Sequence, residues 1–532
     1  MFVLSADMHT YIRFVFSFVY TNCVLICIRF ACLVCGFFAV CFRQFFFRVA
    51  HCILLRLFEP FATFLCVCTC AFVVSKMVSA PRVEDISVTS LSVMSGQATI
   101  NIGTIGHVAH GKSTVVKGLS GVHTVKFKQE KERNITIKLG YANAKIFKCD
   151  DPRCPRPGNY CGKGSNHPDK FVDKNGWEWN LERHVSFVDC PGHDTLMATM
   201  LNGAAVMDGA LLLVAANETC PQPQTAEHLA AVEIMKMKNI IVLQNKVELV
   251  SMDQAILQEE EIKQYLRGTC AEKAPIVPIS AVMGLNLDVV AEYICTQIPV
   301  PLRDFSSMAQ LMVLRSFDVN KPGIDIEQIQ GGVAGGSILK GVLRVNDEIE
   351  IRPGVVVKTT SSTWKCTPIR TRVLSLKCEK NELQFAVPGS LIAIGTTMDP
   401  SLTRADHLVG SVIGIPGHLP GVYYSLDVAY NLMKRLIGST VAVGGKKTRV
   451  EKLKVGEILR LNVGSTMTGA KITGLREGEN LARLELIQPV CTRLGDKVTV
   501  SRKYESHWRL IGNGEIKKGK LVEGTSSENS AL

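Results

Sequence analysis

ATINIGTIGHVAHGKSTVV, residues 98–116, decides the fold of the first half of this 532-residue chain. Its apolar opening reads as a buried strand, a loop with glycines at 106 and 111 follows, and Val115, Val116 and Leu119 then recur at helical spacing. Strand, glycine loop and helix in that order make a phosphate-binding unit. The glycines let the backbone wrap an anion, the amides at the helix start face it, and Lys112 can reach the outer phosphates of a nucleoside triphosphate. The candidate phosphate segment therefore runs from His107 through Val108, Ala109, His110 and Gly111 to Lys112, Ser113 and Thr114, with the Ser113 hydroxyl placed for Mg2+.

Two further elements follow at strand ends. DCPGHD, residues 189–194, comes after the strand-like VSFV and puts Asp189 where a carboxylate can hold Mg2+ through water. Gly192 can donate its amide to a γ-phosphate, and the His193 imidazole can orient an attacking water; the bland alternative for His193 is a structural histidine. NKVE, residues 245–248, follows the strand-like IIVL and reads a base. Asn245 and Lys246 shape the pocket, and the Glu248 carboxylate accepts from guanine N1 and N2, groups that adenine lacks. Such loops normally carry Asp, so the extra methylene of Glu248 weakens the expectation of a close fit. Ser280 and Ala281, in PISA, support the base from the far side. Between the first two elements, ERNITIKLGYANAK (residues 132–145) offers Thr136 as a Mg2+ ligand on a segment ordered by triphosphate; the alternative is an amphipathic surface strand.

Outward from these motifs, strand-like runs at 185–188, 210–215, 240–243 and 276–279 alternate with helical stretches, which predicts a mostly parallel sheet covered on both faces. This α/β domain spans residues 98–302, after a lead-in at 77–97, and carries an insertion at 149–180. The proline-bearing IPVPLRD, residues 298–304, ends it. Beyond lie short alternating runs such as EIEIR (348–352), ARLEL (482–486) and KVTVSR (497–502), which predict two β-barrels, at 303–405 and 406–519. Residues 520–532 form a polar tail.

Composition separates residues 1–76 from the rest: they hold nine of the 19 cysteines and 15 of the 22 phenylalanines. Arg29, Arg43, Arg48 and Arg56 interrupt this apolar region, which is too long and too finely broken for an ordinary signal peptide. A membrane anchor, an organelle-directing extension, and sequence outside the working protein with Met77 as the start are the three readings. The third is favoured, because the downstream motifs are self-sufficient. Of the net charge of +12, eight units lie beyond residue 76, a diffuse positive field that suits a polyanion such as RNA. Beyond residue 77 only Cys149, Cys154 and Cys161 cluster, which points to a reducing compartment.

With these elements in place the chain resembles the gamma subunit of eukaryotic and archaeal translation initiation factor 2, from about residue 97 to about 519. The resemblance is carried by INIGTIGHVAHGKSTVVKGLSGVHTV, ERNITIKLGYANAKI, RHVSFVDCPGHDTLMATMLNGAAVMDGALLL, CPQPQTAEHLAAVEIM, SFDVNKPG, GGVAGGSILKGVL and HWRLIG. It implies a GTPase domain followed by two β-barrels, as in elongation factor Tu. It also implies binding of initiator methionyl-tRNA in the GTP state, alpha and beta subunit partners, delivery to the small ribosomal subunit, and release after hydrolysis promoted by an activating protein. Exchange of GDP for GTP by a separate factor, and a cytoplasmic location, belong to the same picture. Tyr141 is a candidate stacking residue for the aminoacyl end of the tRNA, or equally a half-buried strand tyrosine. Some members carry a four-cysteine zinc knuckle in the insertion; this chain has Cys149, Cys154 and Cys161, with His167 as a substitute fourth ligand, and a metal-free loop is preferred. An elongation-type carrier is the first alternative, against which Ala109 counts because elongation factors usually have Asp there. A membrane-tethered regulatory scaffold, resting on residues 1–76, is the second.

Overall fold

The computed structural model describes residues 90–523, apart from 125–129, 131–135, 137, 194–195, 322, 360–362, 435, 437–448 and 505–506. The expectations for residues 1–76 and for most of the polar tail fall outside these residues. Among the described residues no helix is long and apolar enough to cross a membrane.

The predicted strand of residues 98–105 is β1 (Ile100–Gly106), every residue of which is buried. It pairs in parallel with the strand before DCPGHD and with Gly209–Ala215 on its other side. Numbered along the chain, the sheet holds β1, β2 (Gly140–Cys149), β3 (Tyr160–Gly164), β4 (Lys170–Val172), β5 (Glu178–Asp189), β6 (Gly209–Ala215), β7 (Ile240–Asn245) and β8 (Ile276–Pro278). Its order is β3-β2-β5-β1-β6-β7-β8, with β4 beside β5. The five central strands run parallel, and β2, β3 and β4 add antiparallel pairings at one side. Alternation along β6 shows why two layers form: Leu211 and Leu213 enter one core, while Ala210, Leu212 and Val214 enter the other. Burying each leucine contributes about 2 kcal/mol. Helices α2 (Lys112–Ser120), α3 (Met197–Ala204), α4 (Pro223–Ile234), α5 (Met252–Leu266) and α6 (Leu287–Gln297) accompany the sheet, after a single turn α1 (Leu91–Met94). The segment read as a nucleotide-ordered loop turns, from Gly140 on, into the long strand β2, paired with β5 in a register that sets Gly140 opposite Asp189.

Two closed rings follow. The first joins β9 (Gln310–Phe317), β10 (Val333–Lys340), β12 (Glu348–Lys358), β13 (Trp364–Cys378), β16 (Leu391–Thr396) and β17 (Val412–Gly414). Short strands β11 (Leu343–Arg344), β14 (Asn381–Leu383) and β15 (Phe385–Ala386) flank it. Because β17 pairs with both β9 and β12, this barrel reaches Gly414, past the boundary placed after residue 405. Strand β17 is only three residues long, too short to show as a strand in the sequence. The second ring closes as β18 (Val422–Leu432), β21 (Leu481–Cys491), β20 (Thr466–Arg476), β19 (Ile458–Val463), β22 (Lys497–Tyr504) and β23 (His507–Leu521). Closure removes the exposed sheet edges that would invite pairing with other chains.

Both barrels are pinned to the α/β domain by polar contacts. Gln97 exchanges two hydrogen bonds with the Val387 backbone, Asn202 on α3 meets Asn462 on β19 at 3.0 Å, and Arg509 on β23 pairs with the buried Glu227 of α4.

Candidate nucleotide-binding site

The loop from His107 to Gly111 leaves the carboxyl end of β1 and enters the amino end of α2, where ligands gather in open parallel sheets. Two residues take the left-handed conformation: Ala109 at φ 62° and Gly111 at φ 91°, the latter capping α2. A β-carbon on Gly111 would lie 2.3 Å from the Asn245 amide nitrogen, so only glycine fits there. Lys112 is buried and donates to the carbonyl oxygens of Gly106 (3.0 Å) and His107 (2.6 Å). Burial pulls its ammonium down to about 8, against the opposing pull of Asp189.

Asp189, at the end of β5, gathers three hydroxyls. Its carboxylate accepts from Thr104 (3.0 Å), Ser113 (2.6 Å) and Thr124 (2.6 Å). Thr136 brings its hydroxyl to 3.2 Å from that of Ser113. The three residues read from the sequence as Mg2+ ligands therefore stand together, and they present only hard oxygen donors, the type Mg2+ prefers. Gly192 lies against the phosphate loop so closely that a β-carbon would sit 2.5 Å from Lys112 Nζ and 3.0 Å from the Val108 nitrogen. His193 follows it and is exposed.

Asn245, at the end of β7, ties the base-reading elements to the phosphate loop. Its side-chain amide donates to the His110 carbonyl at 2.8 Å, and its oxygen accepts the Ala281 amide at 3.1 Å. Lys246 is left-handed at φ 66°, and Glu248 projects, exposed, from the turn Val247–Leu249. Ser280 is fully buried and bridges back to Leu285.

Beneath the loop lies a cluster of which the motifs supply His110 but not His228 or Glu218. His228, on α4, accepts the Gly106 amide at its Nδ1, and burial with Lys112 and His107 nearby holds it neutral, at about 3. His110 is enclosed between the Leu213 carbonyl and Glu218, each 3.0 Å away, with burial pulling its imidazole down. Thr124, Glu218 and His228 leave no phosphate-binding signature in the sequence. A histidine set directly before the apolar run LAAV (229–232) is the one visible hint.

In the insertion, Cys149 and Cys154 are buried and Cys161 half-buried, all as free thiols. Burial pushes the Cys154 and Cys161 thiols up to about 11, and the neighbouring Cys149 adds to the rise. His167 stands edge-on to Phe147 and Phe171, and Phe171 stacks on Trp179. Among the described residues no group of three or more His, Cys, Asp or Glu side chains stands together as a metal-holding set. Tyr141 sits on β2 with its hydroxyl buried and unpaired, beside Arg315 and Asp406.

A phosphate loop on an α/β sheet, followed by two closed six-stranded barrels, defines a GTPase of the translation-factor class. Family models agree: the Elongation factor Tu GTP binding domain matches residues 97–300, Elongation factor Tu domain 2 matches 331–414, and Initiation factor eIF2 gamma, C terminal, matches 424–516. Eukaryotic translation initiation factor 2 subunit 3 of Drosophila melanogaster is 57% identical over 444 residues, which is 83% of this chain and 93% of that protein. Subunit gamma of the same factor from Schizosaccharomyces pombe is 56% identical over 449 residues, 83% of this chain and 99% of the relative. The chain belongs to the gamma-subunit family of eukaryotic translation initiation factor 2 and is a translation-initiation GTPase. In fold it is similar to a bacterial selenocysteine-specific elongation factor, at TM-score 0.58 and 22% identity, covering 81% of this chain and 60% of that one. Translation elongation factor SelB from Methanococcus maripaludis gives TM-score 0.56 at 21% identity, with 80% of each chain covered.

Proposed function

We propose that this chain carries initiator methionyl-tRNA in its GTP state, delivers it to the small ribosomal subunit within a complex with alpha and beta subunits, and is released after hydrolysis. Family membership supports the cargo; the observation that carries the switch is Thr136 held 3.2 Å from Ser113 beside Asp189. In this reading Ser113, Thr136 and Asp189 would hold Mg2+, whose charge would offset that on the β- and γ-phosphates. Lys112 exchanges its two loop carbonyls for phosphate oxygens, and the amides of residues 107–114 surround the chain of phosphates. Gly192 donates its amide to the γ-phosphate, a contact that only triphosphate offers. His193, exposed at the same edge, orients the attacking water. Asn245, Lys246 and Glu248 read guanine, with Ser280 and Ala281 behind it. Tyr141 borders the tRNA side of the same segment. The setting is cytoplasmic, with activating and exchange factors acting on the nucleotide; membrane contact enters only through residues 1–76.

The test compares initiator and elongator methionyl-tRNA binding in GTP, GDP and a non-hydrolysable GTP analogue. Initiator tRNA should bind more tightly than elongator tRNA, and only with the triphosphates. Equal affinity for both tRNAs, or indifference to the nucleotide, overturns the proposal.

A further inference from the structure

Thr136 lies two residues before Lys138 and four before Gly140, where β2 begins. The described backbone of Lys138 to Gly140 is anchored at several points. The Lys138 amide donates to Glu130 Oε1 at 3.1 Å, and Gly140 packs so closely on Thr124 and Asp189 that a β-carbon would lie 2.8 Å from Thr124 Cβ. The third anchor comes from another domain. Lys138 Nζ lies 2.5 Å from Asp406 Oδ2, while Asp406 Oδ1 accepts from Arg315 Nε at 3.0 Å and from the Ser316 amide at 3.1 Å. Arg315 in turn reaches toward the Leu139 carbonyl.

Asp406 is built for this place rather than incidental to it. It and Ala405 are consecutive left-handed residues, at φ 63° and 55°, in the turn that leads to β17. Two adjacent non-glycine residues in that region are costly and persist where surrounding contacts fix them. Burial opposes the ionised Asp406, but Lys138, the Ser316 amide and Arg315 outweigh it and hold its carboxyl below the ordinary range. One carboxylate thus joins the middle barrel to the lead-in of β2.

We propose that Asp406 is a positioning residue for Thr136: by holding Lys138 and Arg315 it fixes the backbone that sets the Thr136 hydroxyl beside Ser113 and Asp189, and so couples the middle barrel to triphosphate recognition. This rests on the reading of Thr136 as a triphosphate-sensing residue. Coupling of this kind is reciprocal: a barrel that keeps Asp406 on Lys138 favours GTP over GDP, and GTP favours that barrel position.

The test titrates the full chain with fluorescent GDP and a fluorescent non-hydrolysable GTP analogue, both with Mg2+. Asp406→Asn keeps the left-handed turn, which Asn tolerates, and keeps an acceptor for the Ser316 amide, but it removes the charge facing Lys138 and Arg315. It should weaken the triphosphate about three- to tenfold and leave GDP within about twofold, a ratio set by a half-exposed, charge-assisted contact. Lys138→Met, which leaves the barrel turn untouched, should do the same; Lys138→Arg should restore the ratio, and the Asp406→Asn, Lys138→Met pair should be no worse than either alone. Equal effects on both nucleotides, no effect on either, or a Lys138→Arg variant that behaves like Lys138→Met each overturn the proposal. No tRNA enters the measurement, so its failure leaves the cargo reading intact. A Thr136→Ala variant that keeps full GTP preference would instead remove the reading on which the proposal stands.

Discussion

Replacing Asn245 by alanine tests whether the base-reading and phosphate-binding elements act as one unit. The side chain is buried, donates at 2.8 Å to the His110 carbonyl, accepts at 3.1 Å from the Ala281 amide, and fills the space in front of Gly111. Losing the bond to His110 costs about 0.5–1.5 kcal/mol net, and the Ala281 amide left unpaired costs about 1–3 kcal/mol. The total comes to about 2–4 kcal/mol. At about 1.4 kcal/mol per factor of ten, that is a loss of roughly 30-fold to several hundredfold if it all appears in nucleotide affinity. Part will appear as lower stability instead, so fluorescent-GDP titration and thermal unfolding are measured together. Asn245→Asp separates the two contacts: it keeps the acceptor for Ala281 but turns a second oxygen toward the His110 carbonyl, so it should weaken binding while sparing the Ala281 side. An Asn245→Ala protein that binds GDP within about threefold of the parent, with an unchanged unfolding temperature, refutes the reasoning.

Gly192→Ala places a methyl 3.0 Å from the Val108 backbone, an overpacking cost of about 1–3 kcal/mol, and should reduce GTP binding more than GDP binding in the same titration; equal loss of both argues against a γ-phosphate contact. Glu248→Asp removes the extra methylene and should raise guanine-nucleotide affinity by up to about tenfold, within the range of a bidentate base contact; unchanged or weaker GTP-over-ATP selectivity shows that the glutamate already fits. His184, buried between the Met94 carbonyl and the Ser165 hydroxyl, is pulled down to about 4 by burial, against about 6.5 when unfolded. A depressed pKa leaves its stabilisation fully present above pH 6.5 and lost as pH falls toward 4, about 3 kcal/mol in all. Unfolding temperatures measured from pH 7.5 to 4 should fall less steeply in His184→Gln; parallel profiles exclude this origin.

The site was legible where chemistry is written in short, contiguous strings at strand ends. GHVAHGKS, DCPGHD and NKVE each place their functional atoms within a few residues, so local backbone geometry suffices to say what each can touch. Parallel strands β1, β5, β6, β7 and β8 were legible for a related reason: burial on both faces leaves continuous apolar runs. The antiparallel β2 was not, because its alternation is shared with an ordered loop and is resolved only by pairing with β5. The closing strand β17 is three residues long and gains its identity only from its two neighbours.

By itself, then, the sequence determined the GTPase class, the order of the three domains and the strand, glycine loop and helix of the phosphate-loop motif, because each depends on near neighbours in the chain. Contacts between distant residues were decided by the tertiary structure alone. Thr124 and Asp189 are 65 positions apart, Gly106 and His228 are 122 apart, and Lys138 and Asp406 are 268 apart. Their charges and hydroxyls carry no directional signal until the sheet assembles and, for Lys138 and Asp406, the middle barrel docks. His167 shows the same limit: its edge-on packing against Phe147 and Phe171, 20 and 4 positions away in the chain, is set by the tertiary structure and has no signature in the spacing.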